Sequence, residues 1–542
     1  MRTDRGAGAV AGALGAGVVM LLVAAGAQAR PRSARTGADD CTTIAVGRLA
    51  TADGSVINSE SCDGHDGRVW VNVVPHRKWP AGAETEVRAK TDLQYAPDDL
   101  RPTEVKGTIP QVVETFSYIN TIYPAVNEHQ LTIGESTFTG KEEMQSELGI
   151  FTCYELTRVL AERCRTAREA IRLADQLLAT YGYIDEGETL IFADTREAWL
   201  MEIVGPGKDK LGAVWVARRV PDDHLTVAAN GSRIRELHCD DTDTFMCSDN
   251  VVSRAVELGL WDPHASQPFE FCYVYADRSS FSSRRREWRV LDLMAPSLKL
   301  DANGENFPFS VKPERPVTVA DVMALFRDTF EDTPYDLRRF VTATDEDGKS
   351  VISPYASPFM LYDQMPLYGV YGGWLELGER PIARWYCINV WITQSRGWLP
   401  DPVGGVAWLG WDNPATTTWV PLYVGMRDVP DSYKLGGEMY KGGRPPFTSK
   451  SAWWAFNRLA TLASQRWGDM RHDVDAVRGP LQEEAFALQK ELDAQAVALS
   501  ETGRGQEVSE LLARRVIEFA DRVVDTYWKL GDDIWTRYDE KW

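Results

Sequence analysis

The 542-residue chain reads as an α+β protein in which helices cover stacked antiparallel sheets, with a helical appendage at its C-terminal end. Three observations carry this. Short runs that alternate, or stay apolar throughout, recur from Cys41 to about residue 230 and again from residue 385, as strands buried in a layered core do. A stretch with helical spacing interrupts them at 153–180. From Ser451 onward the pattern turns almost wholly helical. Strands, then helices, then strands again fit helices packed on stacked antiparallel sheets.

The elements follow in chain order. CTTIAVGR and SVINSES flank a turn at Ala52-Asp53-Gly54, because Asp-Gly is a strong hairpin signal. VWVNVV (69–74) is a third strand, and residues 75–106, rich in Pro, Gly and charge, read as a surface excursion. VVETFSYI (112–119) and HQLTIGEST (129–137) return to strand. Between 153 and 180, apolar residues from Leu156 to Leu178 recur at helical spacing, and Gly182 is the stop signal. TLIFAD, AWLMEIV, AVWVARRV and LTVAAN then read as a meander, and VTVADVMALFRDTF as a helix. WYCINVWITQS and GGVAWLGW are strands that carry much of the tryptophan. In the tail, WWAFNRLATLASQRW, LQEEAFALQKELDAQAVALS and VSELLARRVIEFADRVVDTYWKL are amphipathic helices with short breaks. They are expected to pack on the main body, an assembly surface being the alternative, and a homo-oligomer is compatible with either.

The start of the chain is read as cargo rather than fold. Arg2 and Arg5 precede the apolar AGAVAGALGAGVVMLLVAAGA, and Ala27-Gln28-Ala29 is an A-x-A cleavage site. Residues 1–29 are therefore expected to be a signal peptide. The charged RPRSARTGADD (30–40) is a propeptide or spacer that could not bury a core. Residues 41–450 form the main domain and 451–542 the helical region. An uncleaved anchor is the rival reading of the leader, but no stop-transfer pattern follows it. No later segment approaches the roughly 20 apolar residues that span a bilayer, so the mature protein is expected to be secreted and free of membrane.

Charge narrows the partners. The chain carries a formal charge of −20, and removing the five Arg and three acids of residues 1–40 takes it to −22. Such an excess repels phosphate backbones and anionic membranes, which argues against nucleic-acid binding. The eight cysteines are too few for a disulfide scaffold of this length. Cys239 and Cys247 are the most plausible local bridge, with buried free thiols as the equal alternative.

Cys41 is the residue on which the chemistry turns. If the leader is removed there, one residue carries both a thiol and a free α-amine. The thiol has an ordinary pKa near 8.5 and the amine one near 8. At neutral pH the amine can take the thiol's proton, directly or through water, whereas inside a chain the same nitrogen is an amide with no usable lone pair. Attack on a peptide carbonyl would form a thioester acyl-enzyme that water then hydrolyses. Cleavage of the Asp40–Cys41 bond would thus activate a zymogen. A buried core cysteine is the competing reading.

The stretch C-T-T-I-x-V-G-R-x-A-T-x-D-G-S from Cys41 to Ser55 resembles the mature N-terminus of the N-terminal-nucleophile cysteine dipeptidases. The resemblance continues in NEHQLTIGEST, ETLIFADTREAWLMEIVG, VARRVPDDHLTVAANGSRIRE and SRGWLPDPVGGVAWLGWD. It implies a four-layer αββα sandwich of the N-terminal-nucleophile hydrolases and hydrolysis of small peptides, chiefly dipeptides. It also implies Cys41 as nucleophile, Asp63 as a residue that orients it, and Asn230 as first choice for an amide aimed at the developing oxyanion. Asn230 also opens the glycosylation sequon Asn230-Gly231-Ser232 and an ordinary Asn-Gly turn. Asn127 is a second donor candidate, and Glu135 and Arg233 are candidates for substrate contact, with a structural ion pair competing for Arg233. Many dipeptidases carry an Arg three residues before the Asp and an acid just before it. Here those positions hold Glu60 and Cys62, which puts substrate preference in doubt.

Other chemistries lack support. The seven His form no HExxH or paired metal spacing, and no GxSxG elbow, Walker loop or Rossmann glycine pattern occurs. His238-Cys239-Asp240-Asp241 reads as an acidic surface loop, and DANGEN (301–306) lacks the spacing of a calcium loop. No metal or cofactor is expected. Three functions remain: a secreted dipeptidase, an acylase acting on N-acyl or lactam amides with the same machinery, and a non-catalytic binding protein that uses the tryptophans as platforms. The tryptophans fall mostly within strand and helix patterns and so read as core.

Overall fold

The computed structural model describes residues 41–64, 70–89, 104–277, 280–359, 380–435 and 447–540. The expected signal peptide and spacer lie outside the described residues, as do parts of the 75–106 excursion.

Two large antiparallel sheets dominate. Numbering only their strands, these are β1 (Thr42–Val46), β2 (Val56–Asp63), β3 (Asn72–Val74), β4 (Tyr118–Asn120) and β5 (Pro124–Asn127). Next come β6 (Thr132–Phe138), β7 (Gly187–Ala193), β8 (Ala198–Val204), β9 (Val214–Val220) and β10 (Leu225–Ala228). Last are β11 (Phe245–Cys247), β12 (Ser310–Val311), β13 (Cys387–Ser395), β14 (Gly405–Trp411) and β15 (Val420–Tyr423). The seven-stranded sheet has the order β12-β10-β1-β2-β13-β14-β15, and the eight-stranded sheet the order β11-β9-β8-β7-β6-β5-β4-β3. The sheets meet where β1 and β2 lie against β6 and β7.

Helices α1 (Cys153–Arg163) and α2 (Ala167–Tyr181) lie on the eight-stranded sheet. On the seven-stranded sheet lie α3 (Phe281–Met294), α4 (Val319–Phe326), α5 (Ala452–Gln465), α6 (Trp467–Glu501) and α7 (Gly505–Tyr538). The tail therefore packs on the main body, through α5 against β14 and α6 and α7 against β15. Trp391, Trp408, Trp411 and Trp419 are fully buried, in line with the core reading of the tryptophans. Among the described residues, no helix is long and apolar enough to cross a membrane.

The structure departs from the sequence reading in four places. The single helix at 153–180 is two, because the chain turns extended at Cys164 after α1 and Thr166 caps the next. Its side chain accepts from the Glu169 N–H while Glu169 reaches back to the Arg165 N–H at 2.7 Å. LTVAAN does not continue the meander but crosses to the other sheet as β10, between β1 and β12. The excursion holds a two-stranded ribbon, Glu84–Arg88 with Val105–Pro110. Gly479-Pro480 does not interrupt α6. Cys239 and Cys247 form a disulfide, while Cys41, Cys62, Cys153, Cys164, Cys272 and Cys387 are reduced and buried.

Where the sheets meet, the interior is polar. Every residue of β2 is buried, although its sequence is VINSESCD. The polar groups are matched across the layer: Thr43 Oγ1 donates to Ser59 O at 2.6 Å, and Asn58 Nδ2 donates to Thr132 Oγ1 at 3.1 Å and Ile191 O at 3.0 Å. Buried polar atoms that find partners this way fix one register between the sheets. Gly134 in β6 permits the approach, since a Cβ there would stand 2.8 Å from Thr43 Oγ1 and 3.3 Å from Ser59 O.

Candidate active site

Cys41 stands one residue before β1 and is fully buried. The pairing of β1 fixes its neighbours. Thr42 pairs with Ser61 of β2, and Thr43 with Ala228 of β10. Continuing each register to Cys41 sets Cys62 on one side and Asn230 on the other. Two residues almost 170 positions apart in sequence thus flank the thiol.

A buried guanidinium ties this end of the sheet together. Arg286 of α3 is 0 % exposed. Its Nη1 donates to Cys41 O at 2.9 Å and Thr42 Oγ1 at 2.8 Å, and its Nη2 to Ala229 O at 3.1 Å and Asn230 Oδ1 at 2.8 Å. The sequence reading missed this residue, yet a signal existed. Ser283, Arg286, Glu287, Val290, Leu291 and Met294 share the buried face of α3 at helical spacing, so Arg286 occupies an apolar-stripe position in a run of three arginines.

Asn230 has φ +61°, a left-handed conformation that asparagine tolerates better than most residues. Its N–H donates to Ser136 Oγ at 2.9 Å, its Nδ2 to Thr137 O at 2.8 Å, and its Oδ1 receives Arg286. The residues after it are anchored by Glu202, which is buried and accepts from the Ser232 hydroxyl and the Arg233 and Ile234 N–H groups. Burial pushes the Glu202 carboxyl up to about 7 against the pull of these donors.

The thiol is neutral in this setting. Burial drives the Cys41 pKa well above its ordinary value, and the hydrogen bond with Cys62 and the charges of Glu135 and Glu60 raise it further. Desolvation and neighbouring negative charge both disfavour a thiolate, so any use of this thiol as a nucleophile would require a base that takes its proton. Glu60 and Glu135 are themselves linked, since Glu60 Oε2 accepts from the Glu135 N–H at 2.8 Å. Glu135 Oε1 receives the Thr137 hydroxyl at 2.8 Å, and its buried Oε2 meets no hydrogen-bond donor among the described residues.

Asp63, at the end of β2, is buried and faces Arg380 Nη1 at 2.9 Å. Burial raises its carboxyl pKa, and Arg380 and Arg286 oppose the rise. With Glu60 at the nearby position, the cation comes from a segment more than 300 residues away. Local sequence could not have identified Arg380.

Two candidates have other engagements. Both Nδ2 hydrogens of Asn127 go to α1 carbonyls and its boundary, Ala161 O at 2.9 Å and Cys164 O at 2.8 Å, and its Oδ1 accepts from the His129 and Leu131 N–H groups. No hydrogen of the Asn127 amide is left for an oxyanion, because it holds the C-terminal end of α1. Arg233 forms a buried ion pair with Glu287 Oε2 at 2.5 Å, the structural alternative raised by its sequence context.

Among the described residues, one trio with metal-ligand chemistry comes together: Cys153, Asp185 and Glu188, with donor atoms within 4.8 Å of one another. Asp185 Oδ2 receives the Cys153 N–H at 3.1 Å, and the Cys153 thiol meets the Tyr123 hydroxyl at 3.6 Å. These contacts make Asp185 a cap for the first turn of α1.

The fold and this centre define a mixed α/β protein with a buried cysteine at the head of a central strand, held between two sheets by an arginine and an asparagine. The sequence profile of Peptidase family C69 matches residues 40–479, and the chain belongs to that family. Similar curated proteins include "Probable dipeptidase B" of Lactococcus lactis subsp. lactis (strain IL1403), 26% identical over 73% of this chain and 76% of the relative. "Probable dipeptidase" of Latilactobacillus sakei is 24% identical over 80% of this chain and 83% of its own length. "Dipeptidase A" of Lactobacillus helveticus is 20% identical over 90% and 96% respectively.

Proposed function

We propose that this chain is a cysteine-type dipeptidase whose nucleophile is Cys41, exposed when the leader is removed after export. The observation that carries the reading is the placement of Cys41: it heads a central strand between the two sheets, with Asn230 and Cys62 as register neighbours and Arg286 on its carbonyl. The family match, which begins beside Cys41, and relatives named as dipeptidases support the peptide substrate. The layers described above fit the αββα sandwich of N-terminal-nucleophile hydrolases.

In this reading, cleavage of the Asp40–Cys41 bond turns an amide nitrogen into an amine. That amine takes the proton of a thiol that burial keeps neutral, and the sulfur attacks the carbonyl carbon of the scissile peptide. The leaving amine departs with a proton, and water hydrolyses the thioester. Asn230 presents its amide to the oxyanion, fixed by Arg286 and Ser136, and Asp63 with Arg380 orients the strand end beside the nucleophile. The Glu135 carboxyl, with a buried oxygen that meets no donor among the described residues, receives the substrate's α-ammonium, assisted by Glu60.

The intact mass of the exported protein tests the activation step. A species beginning at Cys41 is expected, and one that begins at Arg30 and hydrolyses dipeptides would refute it. Cys41→Ala should fold and lose turnover of a dipeptide panel. Normal turnover by Cys41→Ala would end the proposal, and turnover of acylated amines with none of dipeptides would redirect it to an acylase.

A further inference from the structure

A second polar cavity, of about 570 Å³, opens far along the chain from the cysteine centre, between the C-terminal end of α4 and the first turns of α6. Arg289, Arg327, Thr329, Arg471, His472 and Arg478 contribute to its wall, with Asp328, Glu331 and Asp475 among them. The carboxylates are already matched. Asp328 takes Arg289 at 2.8 Å, and Asp475 takes Arg478 at 2.7 Å. Glu331 takes both Arg471 at 2.5 Å and Arg338 at 2.8 Å, and accepts from Trp467 Nε1 at 3.1 Å.

Arg327 is left over. Among the described residues its guanidinium meets no carboxylate. Its contacts are the Trp419 ring, 4.2 Å from Cζ to the centroid, and a long hydrogen bond to Thr417 O at 3.4 Å. Its Nε is shut away from solvent with no acceptor. Burial, with Arg478 nearby, lowers its pKa to about 9 against the weaker opposing pull of Tyr527 and Asp475, so it stays charged at neutral pH. Arg327 is a half-buried cation with no carboxylate at ion-pair distance among the described residues, Asp475 acting on it only at longer range from its place against Arg478, and an aromatic face compensates only part of such burial. In a chain with a formal charge of −20, a pocket wall that holds four arginines and a histidine against three carboxylates runs against the overall balance.

We propose that this cavity is a binding site for a small phosphate-type oxyanion, with Arg327 as its charge partner and the Thr329 hydroxyl and the outer arginines as supplementary donors. Planar guanidinium forks suit the paired oxygens of such anions. The cavity shares no residue with the cysteine centre, although Arg289 lies one turn of α3 beyond Arg286, and the proposal does not depend on the peptidase reading.

The test uses the full exported protein. Inorganic phosphate and a phosphomonoester such as glycerol phosphate are titrated in separate arms, with sodium chloride at matched ionic strength, and thermal midpoint and binding isotherm are read. A saturable rise in midpoint with one-site binding is expected for phosphate; a tighter isotherm for the phosphomonoester would name an organic phosphate as the occupant. Arg327→Gln should remove the response. Ala324→Glu, which places a carboxylate one helical turn before Arg327 on an exposed position, should raise the midpoint without phosphate and abolish the phosphate effect. Should Arg327→Gln not fold, Ala324→Glu alone decides. A rise matched by chloride, an unchanged response in Arg327→Gln, or a full phosphate response in Ala324→Glu overturns the proposal.

Discussion

Replacing Arg286 is the sharpest test of how the cysteine centre is assembled. The guanidinium serves four acceptors from two strand ends: Nη1 serves Cys41 O and Thr42 Oγ1, and Nη2 serves Ala229 O and Asn230 Oδ1. A lysine ammonium is a single point with three hydrogens. From the same helix position it can serve one pair of acceptors or the other, which leaves two buried acceptors unmatched. Each unmatched buried group costs about 1–3 kcal/mol, so Arg286→Lys should lose about 2–6 kcal/mol of local order. If half of that is felt at the transition state, kcat falls by about 5–160-fold, since 1.36 kcal/mol is a factor of ten. Arg286→Met removes all four bonds and should fall further. The loss should appear in kcat, with KM changed little, because the guanidinium holds backbone and amide rather than substrate. Steady-state kinetics on a dipeptide, with urea denaturation in parallel, reads both quantities. An Arg286→Lys protein with kcat within about threefold of wild type and unchanged stability would refute the reasoning.

Three other outcomes are expected. Glu202 has a folded-state pKa of about 7 against an ordinary 4.5, so its contribution to stability is fully present below 4.5 and is lost as pH rises through 7. The loss amounts to about 3 kcal/mol between pH 4.5 and 7.5. Glu202→Gln should flatten that part of the urea-stability profile, and a profile identical to wild type would count against a buried, strained carboxyl. Breaking the Asp63–Arg380 pair, with both side chains essentially fully buried, by Arg380→Gln should destabilise by about 3–5 kcal/mol, whereas Arg380→Met with Asp63→Leu should recover much of it in denaturant titrations. Gly134→Ala would bring a Cβ to 2.8 Å from Thr43 Oγ1 and 3.1 Å from Asn58 Oδ1. It should cost about 1–3 kcal/mol by overpacking, visible as a lowered thermal midpoint, and should lower kcat by displacing β1.

Much of the local structure was legible because each element carries its own periodicity or cap. The β1–β2 hairpin followed from CTTIAVGR, the Asp53-Gly54 turn and SVINSES, and the existence of α4 from the apolar spacing of VTVADVMALFRDTF, whose start the structure sets at Val319 behind a capping box of Thr318 and Asp321. The break between α1 and α2 was also written in Thr166 and Glu169, but an uninterrupted apolar spacing masked it. Of the candidate residues, Cys41, Asn230, Asp63 and Glu135 lie in or beside the polar layer between the sheets. Asn127 and Arg233 carry the same functional groups, yet the structure commits them to the end of α1 and to Glu287.

What the sequence by itself determined, then, is which segments become strands and helices, that Cys41 stands at the head of a strand, and that the tail is helical. These are properties of neighbours within one or two turns of chain, where sterics and side-chain spacing act directly. The tertiary structure alone decided that LTVA leaves the meander to lie beside β1, that Arg286 closes on Cys41 and Asn230, that Arg380 answers Asp63, and that Arg327 is left without a carboxylate. The first is strand pairing between distant segments, and the contacts of Arg286 with Cys41 and of Arg380 with Asp63 are buried charges meeting partners hundreds of residues away. Burial makes those choices strong, and only the packed sheets and helices bring the partners within reach.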